Sequence, residues 1–156
     1  MFLGIISDTH DNLDRVRSAV TLFNRLGVDQ VVHCGDIIAQ FVLSEFVLLK
    51  APLTIVLGNC DGDKEALRKR AAELKIKIND PPWEFTSGGK KLFVTHKPAE
   101  PIPDCDYYIY GHTHRCRYEP GKPLIINPGE ACGWLSGRGT VAVLNTESDE
   151  VKFFDL

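Results

Sequence analysis

The chain has 156 residues, 44% of them hydrophobic and 25% charged, with a formal net charge of −3. A chain of that length buries roughly 70% of the surface of its unfolded form, so residues 1–156 are expected to fold as a single domain without disulfide staples. The mild acidity excludes a general attraction to nucleic acid or acidic lipid, and no apolar run approaches the ~20 residues of a membrane span. The N-terminus has no basic stretch ahead of an apolar one, and the expectation is a soluble, cytoplasmic protein. Five cysteines (Cys34, Cys60, Cys105, Cys116, Cys132) are irregularly spaced and form no C-x-x-C pair, which argues for reduced thiols over a disulfide framework or zinc knuckle. The one basic stretch, Lys64 to Lys77, reads as a solvated helix face.

Phe2 to Ile6 predicts a short buried strand that runs into Ser7-Asp8-Thr9-His10. Once a strand ends and the backbone turns, the side chains of Asp8 and His10 can converge on one point. Leu13, Val16, Val20, Phe23 and Leu26 then recur at steps of three and four, predicting a helix capped by Asp11 or Asn12 and closed at Gly27. A β-branched run, Gln30 to Cys34, stops at Gly35-Asp36, and a helix is expected over Ala39 to Leu49. Pro52 to Leu57 stops at Gly58-Asn59, followed by a helix from about Asp63 to Leu74. Alternating strands and helices with unbroken apolar strands signify a parallel sheet covered on both faces.

From Ile76 the pattern changes. Trp83 to Thr86 and Lys91 to Thr95 flank Ser87-Gly88-Gly89-Lys90, a hairpin signal. Pro98, Pro101 and Pro103 exclude a helix between Thr95 and Asp106. Further strands are expected at Tyr107 to Tyr110, Leu124 to Ile126, Thr140 to Leu144 and Val151 to Phe154. The economical architecture is two packed sheets, a helix-covered first half with the second half stacked against it.

Each predicted strand end in turn carries a ligand-competent residue: Asp8 and His10, Asp36, Asn59, His96, then His112 and His114. In open α/β sheets the carboxyl edge is where ligands bind. Taken singly, Asp8, Asp36 and Asn59 read equally well as turn or cap residues, and His96 as a core histidine. Jointly, coincidence on one edge of one sheet is a poor account of them. His33, inside an apolar strand, is assigned to the core. Seven nitrogen and oxygen donors exceed the needs of one tetrahedral ion and suit two ions sharing a carboxylate. Such a pair deprotonates a bridging water near neutral pH and grips phosphoryl oxygens, an arrangement suited to in-line displacement at phosphorus.

Asp8-x-His10, Gly35-Asp36, Gly58-Asn59-Cys60-Asp61, His96, Gly111-His112-x-His114 and Asn127-Pro128-Gly129 together resemble the calcineurin-like metallophosphoesterases, in their small bacterial and archaeal phosphodiesterase branch. The resemblance implies an α/β fold, a four-layer α/β/β/α sandwich of two mixed sheets. It also implies two divalent transition-metal ions, Mn2+ first, with Ni2+, Fe2+ or Zn2+ accommodated by the same donors. One would be held by Asp8, His10, Asp36 and His114, the other by Asp36, Asn59, His96 and His112, with Asp36 bridging. The implied catalytic residues are Asp36, Asn59, Cys60 and His112, and the implied substrate is a small organic or nucleotide phosphodiester. A phosphomonoesterase, or a non-catalytic protein-interaction scaffold of the same fold, is the alternative. A nuclease would need a long capping region for which this chain has no room.

The chain departs from the family pattern in three places. Cys60 stands where many members have a histidine thought to protonate the leaving group. Lys97-Pro98 follows His96 where relatives usually show Gly-His, which puts a lysine beside the site. The proline-rich loop Lys97 to Cys105 replaces a helix, so the helix layer is expected to be reduced on the C-terminal side. A thinly covered sheet face invites a partner, and the glycine-rich segment from Gly129 to Gly139, carrying Trp134 and Leu135, is a candidate homodimer contact.

Overall fold

In the computed structural model, which describes residues 1–156, the first half alternates strand and helix. The elements are β1 (Phe2–Ile6), α1 (Leu13–Leu26), β2 (Gln30–His33), a 3-10 helix (Gln40–Leu48), β3 (Leu53–Val56), α2 (Lys64–Glu73) and β4 (Lys77–Asn79). Strands alone follow: β5 (Trp83–Ser87), β6 (Lys90–Val94), β7 (Tyr107–Ile109), β8 (Cys116–Glu119), β9 (Leu124–Pro128), β10 (Thr140–Asn145) and β11 (Glu150–Asp155). Two mixed sheets result, one ordered β11-β10-β1-β2-β3-β4 and the other β5-β6-β7-β9-β8. From β1 to β4 each neighbour is parallel, and β6, β7 and β9 form a second parallel run.

Side-chain alternation along β1 sets up the layers. Ile6 faces the helices, where Val16, Ala19, Val20 and Phe23 of α1 pack with Leu43 and Leu67. Leu3 and Ile5 face the other way, into a core shared with Val32, Val56, Leu92, Val94, Ile109 and Ile126. Gly4 makes room for the Phe23 ring, which a Cβ there would meet at 2.9 Å. The cap residues behave as their chemistry predicts: Asn12 accepts from Arg15 N at 3.3 Å, and Asp63 from Ala66 N at 2.9 Å.

Three details differ from the sequence reading, and the reduced helix layer agrees with it. The helix expected over Ala39 to Leu49 is a 3-10 helix, since Ala39 offers no side-chain cap and Phe41, Val42, Phe46 and Val47 are mediocre helix formers. Strands β4 and β8 went unread because both are short sheet-edge strands, and all four residues of β8 are exposed. The C-terminal hairpin β10–β11 does not stay with the second half. It returns to pair antiparallel with β1, Ile5 opposite Ala142, and so covers the apolar edge of that central strand. The reduced helix layer is replaced by loop 97–105: Ala99 packs on Phe93, Tyr108, Tyr110 and Ile125, and its N–H donates to the Tyr108 hydroxyl at 2.5 Å.

Candidate functional site

The carboxyl ends of β1, β2 and β3 in one sheet meet those of β6 and β7 in the other, where the sequence reading expects one edge of one sheet, and the loops that leave them are knitted together by hydrogen bonds. Asp8 N donates to Gly35 O at 3.0 Å, His10 N to Asp36 O at 3.1 Å, and Gly111 N to His96 O at 3.1 Å. Asp8, His10, Asp36, His112 and His114 all have positive φ, between 38° and 66°. Left-handed backbone is costly for such residues and gathers where function over-determines it. Two glycines permit the close approach: a Cβ at Gly58 would fall on the Asp36 carboxylate, and one at Gly111 on Ser7 Oγ.

Two groups of donors emerge. Asp8, His10 and His114 form one, with His114 Nε2 3.4 Å and His10 Nε2 3.7 Å from Asp8 Oδ1. Asp36, His96 and His112 form the other, with His96 Nε2 3.2 Å from Asp36 Oδ2. The two are joined, because His10 Nε2 also lies 3.7 Å from Asp36 Oδ2. Asp8 Oδ1, His10 Nε2 and His96 Nε2 are buried without a hydrogen-bond partner. A buried polar atom left unpaired costs about 1–3 kcal/mol, and the unpaired atoms of the two groups, Asp8 Oδ1 and His10 Nε2 in one and His96 Nε2 in the other, fit cations that take their lone pairs.

The electrostatics point the same way. Burial would raise the pKa of Asp36, but the His96 imidazole and the Cys60 backbone N–H outweigh it and hold the carboxyl well below the usual range. The adjacent Asp8 carboxylate pushes His10 up. His96 is pulled down by burial, but the Asp36 and Asp8 carboxylates and the Cys34 carbonyl together push it up. His112 is lowered, first by burial and then by the positive charges of His96 and Lys97. The two carboxylates therefore attract positive charge into the pocket.

Behind these donors stands a set of positioning groups. His96 Nδ1 donates to the Cys34 carbonyl at 2.7 Å, which leaves Nε2 bare and turned inward. His114 Nδ1 meets Glu130 Oε2 at 2.8 Å. Glu130 is raised by burial but held down, to about 2, by His114 and Ser136. Asp61 accepts four backbone N–H groups: Asp36 and Gly58 on Oδ2, Ile37 and Ile38 on Oδ1, at 2.7–3.1 Å. Ser7 Oγ donates to Asp8 Oδ2 at 2.5 Å, and His112 N donates to the same oxygen at 3.0 Å. His33 is a core residue, as expected, with its pKa lowered by burial to about 4. It also accepts from Gly35 N and meets Thr9 Oγ1, bracing the loops of both Asp36 and Asp8.

Of the residues singled out in the sequence, Asp8, His10, Asp36, His96, His112 and His114 come together in these two groups. Asn59 is exposed at the end of β3, and its amide donates to Cys60 Sγ at 3.1 Å. Cys60 is exposed too, its sulfur within 4.8 Å of donor atoms of His10 and Asp36. Lys97 is exposed one residue beyond His96. The roles of Asp61 and Glu130 were not foreseen, though each abuts a motif: Asp61 follows Asn59-Cys60, and Glu130 follows Asn127-Pro128-Gly129.

Residues 1–149 match the calcineurin-like phosphoesterase superfamily domain. Phosphodiesterase MJ0936 of Methanocaldococcus jannaschii is 37% identical over 161 residues, covering 97% of both chains. Among solved structures, an archaeal phosphodiesterase aligns at a TM-score of 0.92 and 36% identity over 100% of both chains. The Escherichia coli phosphoesterase Yfce aligns at 0.77 and 20%, covering 100% of this chain and 98% of its own. Zinc-bound Vps29 of Entamoeba histolytica aligns at 0.68 and 18%, covering 99% and 91%. The last two likenesses are of fold alone.

Asp61→Asn tests the frame. Whichever way the amide is turned, two backbone N–H groups, buried or half-buried, lose their acceptor. At ~1–3 kcal/mol each, the expected loss of stability is about 2–6 kcal/mol, read from denaturant midpoints, and an unchanged midpoint refutes the anchoring role.

Proposed function

Because the chain belongs to the calcineurin-like phosphoesterase superfamily, we propose that this phosphoesterase is a phosphodiesterase, cleaving small organic or nucleotide diesters at a pair of divalent cations. The observation that carries the reading is the adjacency of two donor groups, joined where His10 meets Asp36, in which Asp8 Oδ1, His10 Nε2 and His96 Nε2 are buried without a partner. Asp8, His10, Asp36 and His114 would hold one cation, and Asp36, Asn59, His96 and His112 the other. The donors are imidazole and oxygen, a set that accommodates Mn2+, Ni2+, Fe2+ or Zn2+, and Mn2+ is put first on the family resemblance. When bound, such a pair lowers the pKa of a water and neutralises the charge that builds on the phosphoryl oxygens.

The chain's own groups supply the rest. Burial and the nearby Asp36 carboxylate push the Cys60 thiol up, toward keeping its proton. Its sulfur lies at the mouth of the pocket, placed to give that proton to the departing oxygen. Lys97, exposed one residue beyond His96 and close enough for its charge to lower His112, would bind a non-bridging phosphate oxygen. The five cysteines are free, and we read residues 1–156 as one domain.

Hydrolysis of bis-p-nitrophenyl phosphate is expected to stop on chelation and return with Mn2+. Asp36→Asn should lower kcat by about 10²–10³-fold or more, the scale of losing one preorganised charge-stabilising group. Faster turnover of p-nitrophenyl phosphate would make the protein a phosphomonoesterase, and no turnover of either ester with cations bound would make it a scaffold. In Cys60→Ala, kcat should drop about 10²-fold or more for diesters with alkoxide leaving groups and little for p-nitrophenolate. Equal rates to wild type on both would deny the thiol an acid role. Lys97→Ala should raise KM several-fold, and less so at high salt, whereas an unchanged KM would leave the ammonium in solvent.

A further inference from the structure

An aromatic ring stands at the rim of this site that neither the cations nor the hydrolytic step requires. Trp134 is 64% exposed, and Leu135 beside it is 77% exposed. The ring is nevertheless moored: its Nε1–H donates to the His10 carbonyl at 3.2 Å. His10 is the residue whose Nε2 lies 3.7 Å from both the Asp8 and Asp36 carboxylates. The indole is therefore tied to the loop that lines the pocket.

The segment behind the ring is fixed as well. Ala131 N donates to Ser7 O at 2.9 Å and Cys132 N to Asp8 O at 3.0 Å, while Asn12 Nδ2 holds the Cys132 carbonyl at 2.9 Å. Gly137 N closes the turn onto Gly133 O at 3.1 Å, and Glu130 accepts from Leu135 N and Ser136 N. Holding a large apolar side chain still in water forfeits its rotamer freedom and gains little burial. A flat, preoriented face beside a phosphoryl site has value once another flat group lies on it, since aromatic rings stack on bases and aryl groups with little regard to their polar edges.

We propose that Trp134 is a stacking platform for the organic group of the diester, giving the site a preference for aryl- and nucleobase-bearing phosphodiesters over alkyl ones. This rests on the phosphodiesterase reading of the same site and names its substrate class. Leu135 widens the apolar rim, and Glu130, through Leu135 N and Ser136 N, positions the segment.

Two chromogenic diesters with the same leaving group isolate the effect: the p-nitrophenyl ester of thymidine 5′-monophosphate, and methyl p-nitrophenyl phosphate. In Trp134→Ala the ratio of kcat/KM for the first over the second should fall by about 5- to 150-fold, the range that stacking supplies. Trp134→Phe should restore most of the ratio. Independently of turnover, thymidine 5′-monophosphate should quench indole emission in the Mn2+-loaded protein. That quenching should vanish in Trp134→Phe and persist in Trp83→Phe, whose ring in wild type stacks on Phe85 at 4.0 Å. A ratio within twofold of wild type in Trp134→Ala overturns the platform, as does quenching that survives Trp134→Phe. A dimer that Trp134→Ala splits, with the ratio unaltered, reassigns the ring to a subunit contact. If wild type cleaves neither diester while the quenching behaves as expected, the phosphodiesterase reading falls and the platform stands.

Discussion

Asp36 brings a carboxylate that is 2% exposed to the place where the ends of two sheets meet, and much of the local structure exists to keep it there. A charge so placed must be surrounded by donors, paired, or neutralised. Here one oxygen takes the Cys60 N–H at 2.8 Å, while the other faces His10 and His96. The backbone that carries it is in left-handed conformation and is pinned by Asp61. Glycine at position 58 is the condition for that proximity, since any side chain would collide with the carboxylate. The fold thus spends its backbone hydrogen bonds on aiming side chains, and leaves the lone pairs at the centre free for something positive.

Much of this was legible in the sequence, for a physical reason. Strands buried on both faces read as unbroken apolar runs, so a polar residue at their ends stands out, and Asp8, Asp36, His96 and His112 did so. What stayed hidden was the function of acids whose type is compatible with any exposed turn. Asp61 and Glu130 have the same composition signature as a helix cap or a solvated carboxylate. Only the tertiary structure shows that one gathers four N–H groups and the other braces an imidazole. His33 shows the converse, a core histidine correctly read whose hydrogen bonds hold two loops of the site.

The topology hid its non-local parts in the same way. Periodicity locates β10 but cannot say that its partner is β1, more than a hundred residues earlier. Nor does it reveal β8, whose residues Cys116-Arg117-Tyr118-Glu119 are exposed on every side and so lack alternation. The proline-rich loop 97–105 was readable as non-helical from its composition. Its work as a cover for Tyr108 and Tyr110 was not, because that depends on which sheet face lies beneath it.

Glu130 has one further implication. A single carboxylate restrains both the His114 ring and the backbone at Leu135 and Ser136, so the orientation of a half-buried imidazole and the order of a surface turn are two readings of one restraint. Thermodynamic reciprocity then applies: whatever tightens the turn from outside steadies the imidazole within, and whatever engages the imidazole stiffens the turn by an equal free energy.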